Sequence, residues 1–297
     1  MIQPADLRAN LGADLRARAE ALGQSLPALL AEADQLARAV QLGAHGRRRA
    51  GQGDEFWQYR PAHTGDAARS IDWRRSARSD AHFVREREWQ AAQSVTLWVD
   101  RARSMGFSGD ASRPAKGDRA RLLALALAVL LLRGGERVGL AAGDPPRPGR
   151  AQLVPLLTQL ADNGPEDFGV PLAAGLVPHG RAVFISDFLG PLPPLEEALA
   201  EATERGVRGA LLQVLDPAEE EFPFGGRVIF ASMGGTLAHE TQSAGDLRAR
   251  YLDRLAERKA RLAELARAAG WHFSTHHSGQ PAQGALLWLY QALEGGR

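Results

Sequence analysis

S-V-T-L-W-V-D-R-A-R-S-M, residues 94–105, is the stretch on which the fold turns. Ser94 to Val99 reads as a strand, since Val, Thr and Trp suit a pleated, packed surface. It ends in Asp100 and passes into a short polar loop. Downstream, β-rich runs alternate with helical ones. A helix over Arg119 to Leu132 is followed by a strand at Arg137 to Ala142, then by a helix over Gln152 to Ala161. A third strand, Arg181 to Ser186, precedes a helix over Pro194 to Arg205, and Gly209 to Leu215 is a fourth strand. Arg227 to Ala231 and Thr236 to His239 suit a hairpin across Met233-Gly234-Gly235. A long helix from Ala244 to Ala269, a strand over Trp271 to Thr275 and a last helix over Ala282 to Leu293 complete the series. This alternation specifies a mostly parallel sheet with helices on both faces, whose ligands bind at the carboxyl ends of the strands. Two strands end in Asp at that edge, at Asp100 and Asp187.

Upstream the pattern changes. Residues 5–42 are rich in Ala, Leu, Arg and Glu, with leucines near helical spacing and Pro27 placed to open a second helix. Residues 43–81 become a Gly, Arg, Asp and aromatic stretch without sustained periodicity, which reads as long irregular loop structure. The expected division is a helical segment 1–42, a loop region 43–92 and an α/β domain 93–297.

Composition excludes several classes. At 297 residues, 44% hydrophobic and 24% charged, the chain suits an ordinary globular protein. Its net charge of +1 gives no bulk electrostatic case for nucleic acid or an anionic membrane. Arg47-Arg48-Arg49 is interleaved with carboxylates such as Asp54 and Glu55, so the local charge largely cancels. Only Lys116 and Lys259 are lysines. With no Cys, disulfides and thiolate chemistry are excluded. The longest apolar run, Leu122 to Leu132, is about half the length a membrane helix needs and reads as a buried helix. The start of the chain lacks the apolar core of a secretory signal, so a cytoplasmic location is expected.

Asp100 and Ser104, four residues apart, let a strand-end loop offer a carboxylate and a hydroxyl to one hard cation. Glu166 or Asp167 could add a further anion. No G-x-S-x-G elbow, Walker A loop or H-E-x-x-H sequence occurs. His276 and His277 point to opposite faces of any strand, which makes a poor chelating pair and suits an exposed strand end.

D-R-A-R-S resembles the D-x-S-x-S of a von Willebrand factor A domain, which binds Mg²⁺ in a metal-ion-dependent adhesion site. The resemblance implies Asp100, Ser104 and Asp187 as the ligands. The site is degenerate: Ala102 stands where that family has its first Ser, and Arg101 and Arg103 enter the loop. Asp100 and Asp187 would alternatively fix the loop, paired with those arginines. With Ala102 in place, partner binding is expected to be largely independent of metal.

A second resemblance covers residues 43–105. G-A-H-G-R-R-R-A-G-Q-G-D-E-F (43–56) and R-P-A-H-T-G-D-A-A-R-S-I-D-W-R-R-S-A-R (60–78) are similar to the family called domain of unknown function 58. Gly51, Gly53, Glu55, Phe56, Arg60, Gly65, Asp66, Arg69, Ile71, Asp72, Trp73, Ser76, Ala77 and Arg78 fit its spacing, while Ala62 replaces its Tyr. The segment reads as self-wiring, with Glu55, Asp66 and Asp72 available to Arg60, Arg69, Arg74 or Arg78 and with Trp73 as an apolar anchor. A partner-binding surface on the same loop is the other reading. The resemblance implies a von Willebrand factor A-like sheet and a non-enzymatic adaptor working with a MoxR-type AAA+ ATPase in assembling or activating a protein complex. A metal-dependent hydrolase using the carboxylates at the sheet edge is the alternative.

Overall fold

Ser94–Val99, Arg181–Ser186 and Arg208–Leu215 are short, almost wholly apolar runs, as strands covered on both faces require. A computed structural model describes residues 28–40, 50–63, 66, 71–77, 81–88, 92–235 and 238–294, without the side chains of 50–58, 60 and 85–88. The chain divides into two compact units, one of Met1–Leu42 with Gln93–Arg297 and the other of Gly43–Ala92.

In the larger unit, helix α1 (28–40) precedes the alternating series. Strand β3 (Ser94–Val99) leads through a 3₁₀ turn at Arg103–Gly106 to α3 (Lys116–Arg133) and β4 (Arg137–Leu140). Then come α4 (Leu153–Ala161), β5 (Arg181–Ser186), α5 (Pro193–Glu204), β6 (Arg208–Leu215) and the short α6 (Pro217–Glu221). An antiparallel pair, β7 (Val228–Ala231) with β8 (Ala238–Thr241), is followed by α7 (Ala244–Ala268), β9 (His272–His277) and α8 (Ala282–Glu294).

Five strands form one parallel sheet in the order β4-β3-β5-β6-β9. The α/β alternation therefore produces the expected fold, with helices on both faces. The side-chain period of two separates two cores. Val183 and Ile185 face a layer containing α3, α4, α8 and α1, whereas Ala182 and Phe184 face α5 and α7. Helix α3 is buried nearly all round, as the apolar run suggested. No helix among the described residues is long and apolar enough to cross a membrane.

The chain passes from β3 outward to β4, then returns across β3 to β5. The order reverses between β3 and β5, and that is where an open α/β sheet forms its crevice. Pairing of Val99 with Ile185 is extended by the Asp100 amide, which donates to the Ile185 carbonyl at 2.9 Å. Asp100 and Asp187 thus leave adjacent strands side by side.

The smaller unit corrects the expectation of an irregular loop. Strand β1 (Ala50–Pro61) pairs antiparallel with β2 (Phe83–Glu88), and the four-residue helix α2 (Trp73–Ser76) lies between them in sequence. Register shifts between Gly51 and Phe56 and between Phe56 and Gln58 break the alternation by which a strand is recognised. Strand β9 begins and ends later than expected, and His276 is buried, not at an exposed strand end. The first expected N-terminal helix lies outside the described residues.

Candidate functional site

The reversal between β3 and β5 brings together all three residues of the degenerate motif, though not as ligands of one ion. Asp100 is 3% exposed and accepts from the Ser186 hydroxyl at 2.6 Å and from the Ala102 amide at 2.8 Å. Burial pushes its carboxyl above the usual carboxylate range, and the nearby charge of Asp187 adds to the rise against these hydrogen bonds. The Gly169 amide also bonds this carboxylate, and a Cβ at Gly169 would lie 2.2 Å from Asp100 Oδ1. Only glycine allows so close an approach.

Asp187 faces the other way. Its Oδ1 accepts from the Leu189 amide at 3.0 Å, while Oδ2 receives the Lys116 ammonium at 2.8 Å. Lys116 Nζ also donates to Glu219 Oε1 at 2.6 Å. Lys116 and Asp187 are each 1% exposed. Burial alone would lower the lysine pKa, but the two carboxylates outweigh it and hold the ammonium above the ordinary lysine range. Lys116 opens α3 and Glu219 lies on α6, so three elements meet at this one cation.

Glu219 is held at its other oxygen as well. Asp216 caps α6 by accepting from the Ala218 amide, and Glu219 Oε2 accepts from the Asp216 amide at 2.8 Å. The result is a capping box that aims the remaining oxygen of Glu219 at Lys116.

The expected pairing of Asp100 and Asp187 with Arg101 or Arg103 is not what forms. The Arg101 guanidinium donates to the Gln159 carbonyl at 2.8 Å, and the side chain of Arg103 is exposed. The backbone of Arg103 and Ser104 instead bonds the carbonyls of Glu166 and Asp167, and the Asp167 side chain accepts from the Ser232 hydroxyl at 2.8 Å. Asp100, Asp187, Glu166 and Asp167 therefore do not converge. Among the described residues no three His, Cys, Asp or Glu side chains form a group able to hold a metal. Ser104 Oγ is buried and has no partner among the described residues. The Mg²⁺ implied by the resemblance does not fit these residues, because the place between the Asp187 and Glu219 oxygens at this sheet edge is taken by an ammonium.

Ser104, Lys116, Asp187 and Glu219 line a cavity of about 570 Å³ at the sheet edge. Its walls are aromatic: Phe222 lies 5.7 Å from Phe230 and 5.0 Å from Tyr251, centroid to centroid. Burial, reinforced by Glu219 and Asp187, pushes the Tyr251 phenol up to about 12. Arg250 and Arg254 complete the lining.

In the smaller unit, Asp72 caps α2. It accepts from the Arg75 amide at 3.0 Å and the Tyr59 hydroxyl at 2.9 Å. The Arg75 guanidinium lies 4.4 Å from the centre of the Tyr59 ring, and Asp66 accepts from the His63 amide at 2.7 Å. Trp73 is 57% exposed and meets His82 edge to face, 5.5 Å apart. The side chains of Glu55 and Arg60, and residues Arg69 and Arg78, lie outside the described residues.

Residues 58–261 match the family model described as protein of unknown function DUF58. The chain belongs to this family. Among curated relatives, uncharacterized proteins of Mycobacterium tuberculosis (Rv1480) and Mycobacterium bovis (Mb1516) are each 29% identical over 236 residues, covering 74% of this chain and 73% of theirs. Among solved structures, an aerotolerance-related membrane protein from Bacteroides fragilis aligns over 68% of this chain and 98% of its own, at 14% identity and a TM-score of 0.41. BatB from Bacteroides thetaiotaomicron aligns over the same shares, at 14% identity and a TM-score of 0.39.

Three site residues escaped the sequence reading: Lys116, Ser186 and Glu219. Two signals pointed to the first and the last of them. Lys116 is one of only two lysines in an arginine-rich chain, and Asp216-Pro217-Ala218-Glu219 has the spacing of a capping box.

Proposed function

We propose that this chain is a non-enzymatic protein-interaction module, an adaptor that works with a MoxR-type AAA+ ATPase in the assembly or activation of a protein complex. The carrying observation is the aromatic-walled cavity at the sheet edge, whose charged floor groups are paired with one another. Lys116 bridges Asp187 and Glu219, and Asp100 at the neighbouring strand end is held by Ser186 and backbone amides. Charges paired in this way give orientation and shape, whereas catalysis needs a group left poised to attack or to take a proton. The von Willebrand factor A-like motif at Asp100 and Ser104 supports the same reading. So does the signature segment around Asp72 and Trp73, where an exposed tryptophan beside a capped turn suits a partner contact. A cytoplasmic location fits such a role.

The test is affinity purification of the tagged chain from its host, with and without ATP, followed by mass spectrometry. We expect an AAA+ ATPase to be enriched over an empty-tag control, and Trp73→Ala or Phe230→Ala to reduce its recovery by about tenfold. Absence of an ATPase, with both proteins well expressed, overturns the adaptor reading.

A further inference from the structure

We infer that Lys116 is the permanent cation of this site: its ammonium, tethered to the chain, holds the place between Asp187 and Glu219 that a divalent ion would otherwise take. The assignment rests on side-chain geometry and does not require the adaptor reading.

Nζ sits 2.8 Å from an Asp187 oxygen and 2.6 Å from a Glu219 oxygen, and these carboxylates come from different elements, the end of β5 and α6. A divalent ion bridging the same two oxygens would have to approach each to about 2.0–2.6 Å and sit almost on the ammonium. It would meet like charge and occupied space. The lysine is also placed against local preference. It is the first residue of α3, where the helix dipole disfavours a cation, and it is 1% exposed, where burial disfavours any charge. Two carboxylates and the face of Phe107, whose centre lies 5.6 Å from Nζ, offset both costs. Glu219 is itself fixed by the capping box, so the anionic cradle does not depend on the lysine for its position. Ser104 Oγ, buried and unpartnered among the described residues, lines the same cavity.

The experiment is a Mn²⁺ titration of the full chain, read by the electron paramagnetic resonance of free Mn²⁺ and by thermal midpoint. The wild type is expected to show no saturable binding and no change of midpoint with Mn²⁺, Mg²⁺ or EDTA. Lys116→Ala leaves two buried carboxylates unpaired, so its midpoint should fall and Mn²⁺ should restore it, with affinity at least about tenfold above the wild type. Lys116→Met removes the charge but keeps the bulk, and should fall without rescue. Stoichiometric Mn²⁺ binding by the wild type that is lost in Asp187→Asn overturns the assignment, as does a folded Lys116→Ala with no gain in Mn²⁺ affinity. If neither variant folds, the two lysines of the wild type supply the test by acylation of amines. Lys259 should react and Lys116 should resist by more than about tenfold, in keeping with its burial. Equal reactivity overturns the tethered-ammonium assignment.

Discussion

His276 has a buried ring whose Nε2 finds no partner among the described residues. Burial, then the charges of Arg119 and His277, lower its pKa from 6.5 to about 4. An unfolded chain takes up that proton near 6.5, whereas the folded ring refuses it until about 4. Through this window the unfolded state binds more protons, so stability is lost as pH falls and levels off below about 4. The gap corresponds to roughly 3 kcal/mol at most. Urea denaturation of the wild type and His276→Phe across this range should show the wild-type curve falling more steeply. Parallel curves would mean that the ring is protonated in the fold. Asp100 carries an effect of the opposite sign. Its raised carboxyl pKa means that the folded state takes the proton first, so this group favours folding more as pH falls.

Among elements, α6 contributes most to the site for its length. Its five residues carry the Glu219 that meets Lys116, and its cap Asp216 is fully buried, bonded to Ala218, to Arg113 at 3.3 Å and to Ser278 at 3.2 Å. Asp216→Ala removes a cap worth about 1 kcal/mol and leaves Arg113 without this anion, for a total loss of about 2–4 kcal/mol. Asp216→Asn keeps the accepting oxygen and should lose less. Equal denaturation midpoints for the two variants would show that the loss is that of the charge and that the accepting oxygen adds nothing to it. Strands β3 and β5 could be read from sequence because each is an apolar run ending in Asp, a local pattern. The cluster they serve could not. Lys116 meets Asp187 across 71 positions and Glu219 across 103, and no local periodicity encodes such contacts. Strand β1 was illegible for a different reason: its glycines, charges and register shifts erase the period of two.

At the scale of the whole chain, the two units differ in how they can be stable. The larger has five parallel strands with helices on both faces, and its central strand β5 is buried from Ala182 to Ser186. The smaller has a two-stranded ladder and one helical turn held by Asp72, Tyr59 and Ser76. A two-stranded hairpin is marginal in water by itself, so the amides of β1 and β2 should exchange with deuterium well before those of β5. Tyr59→Phe, which removes the hydroxyl bonded to Asp72, should speed exchange at α2 and Phe83 by several-fold, as losing about 1 kcal/mol implies, without touching β5. Faster exchange at β5 as well would mean that the units unfold together. Protection of β1 and β2 matching that of β5 would mean that the hairpin draws stability from more than its own ladder. The contrast bears on the proposed function, because a partner docking on the exposed Trp73 would have to order a marginal unit, at a cost in affinity that the packed sheet edge around Lys116 would not impose.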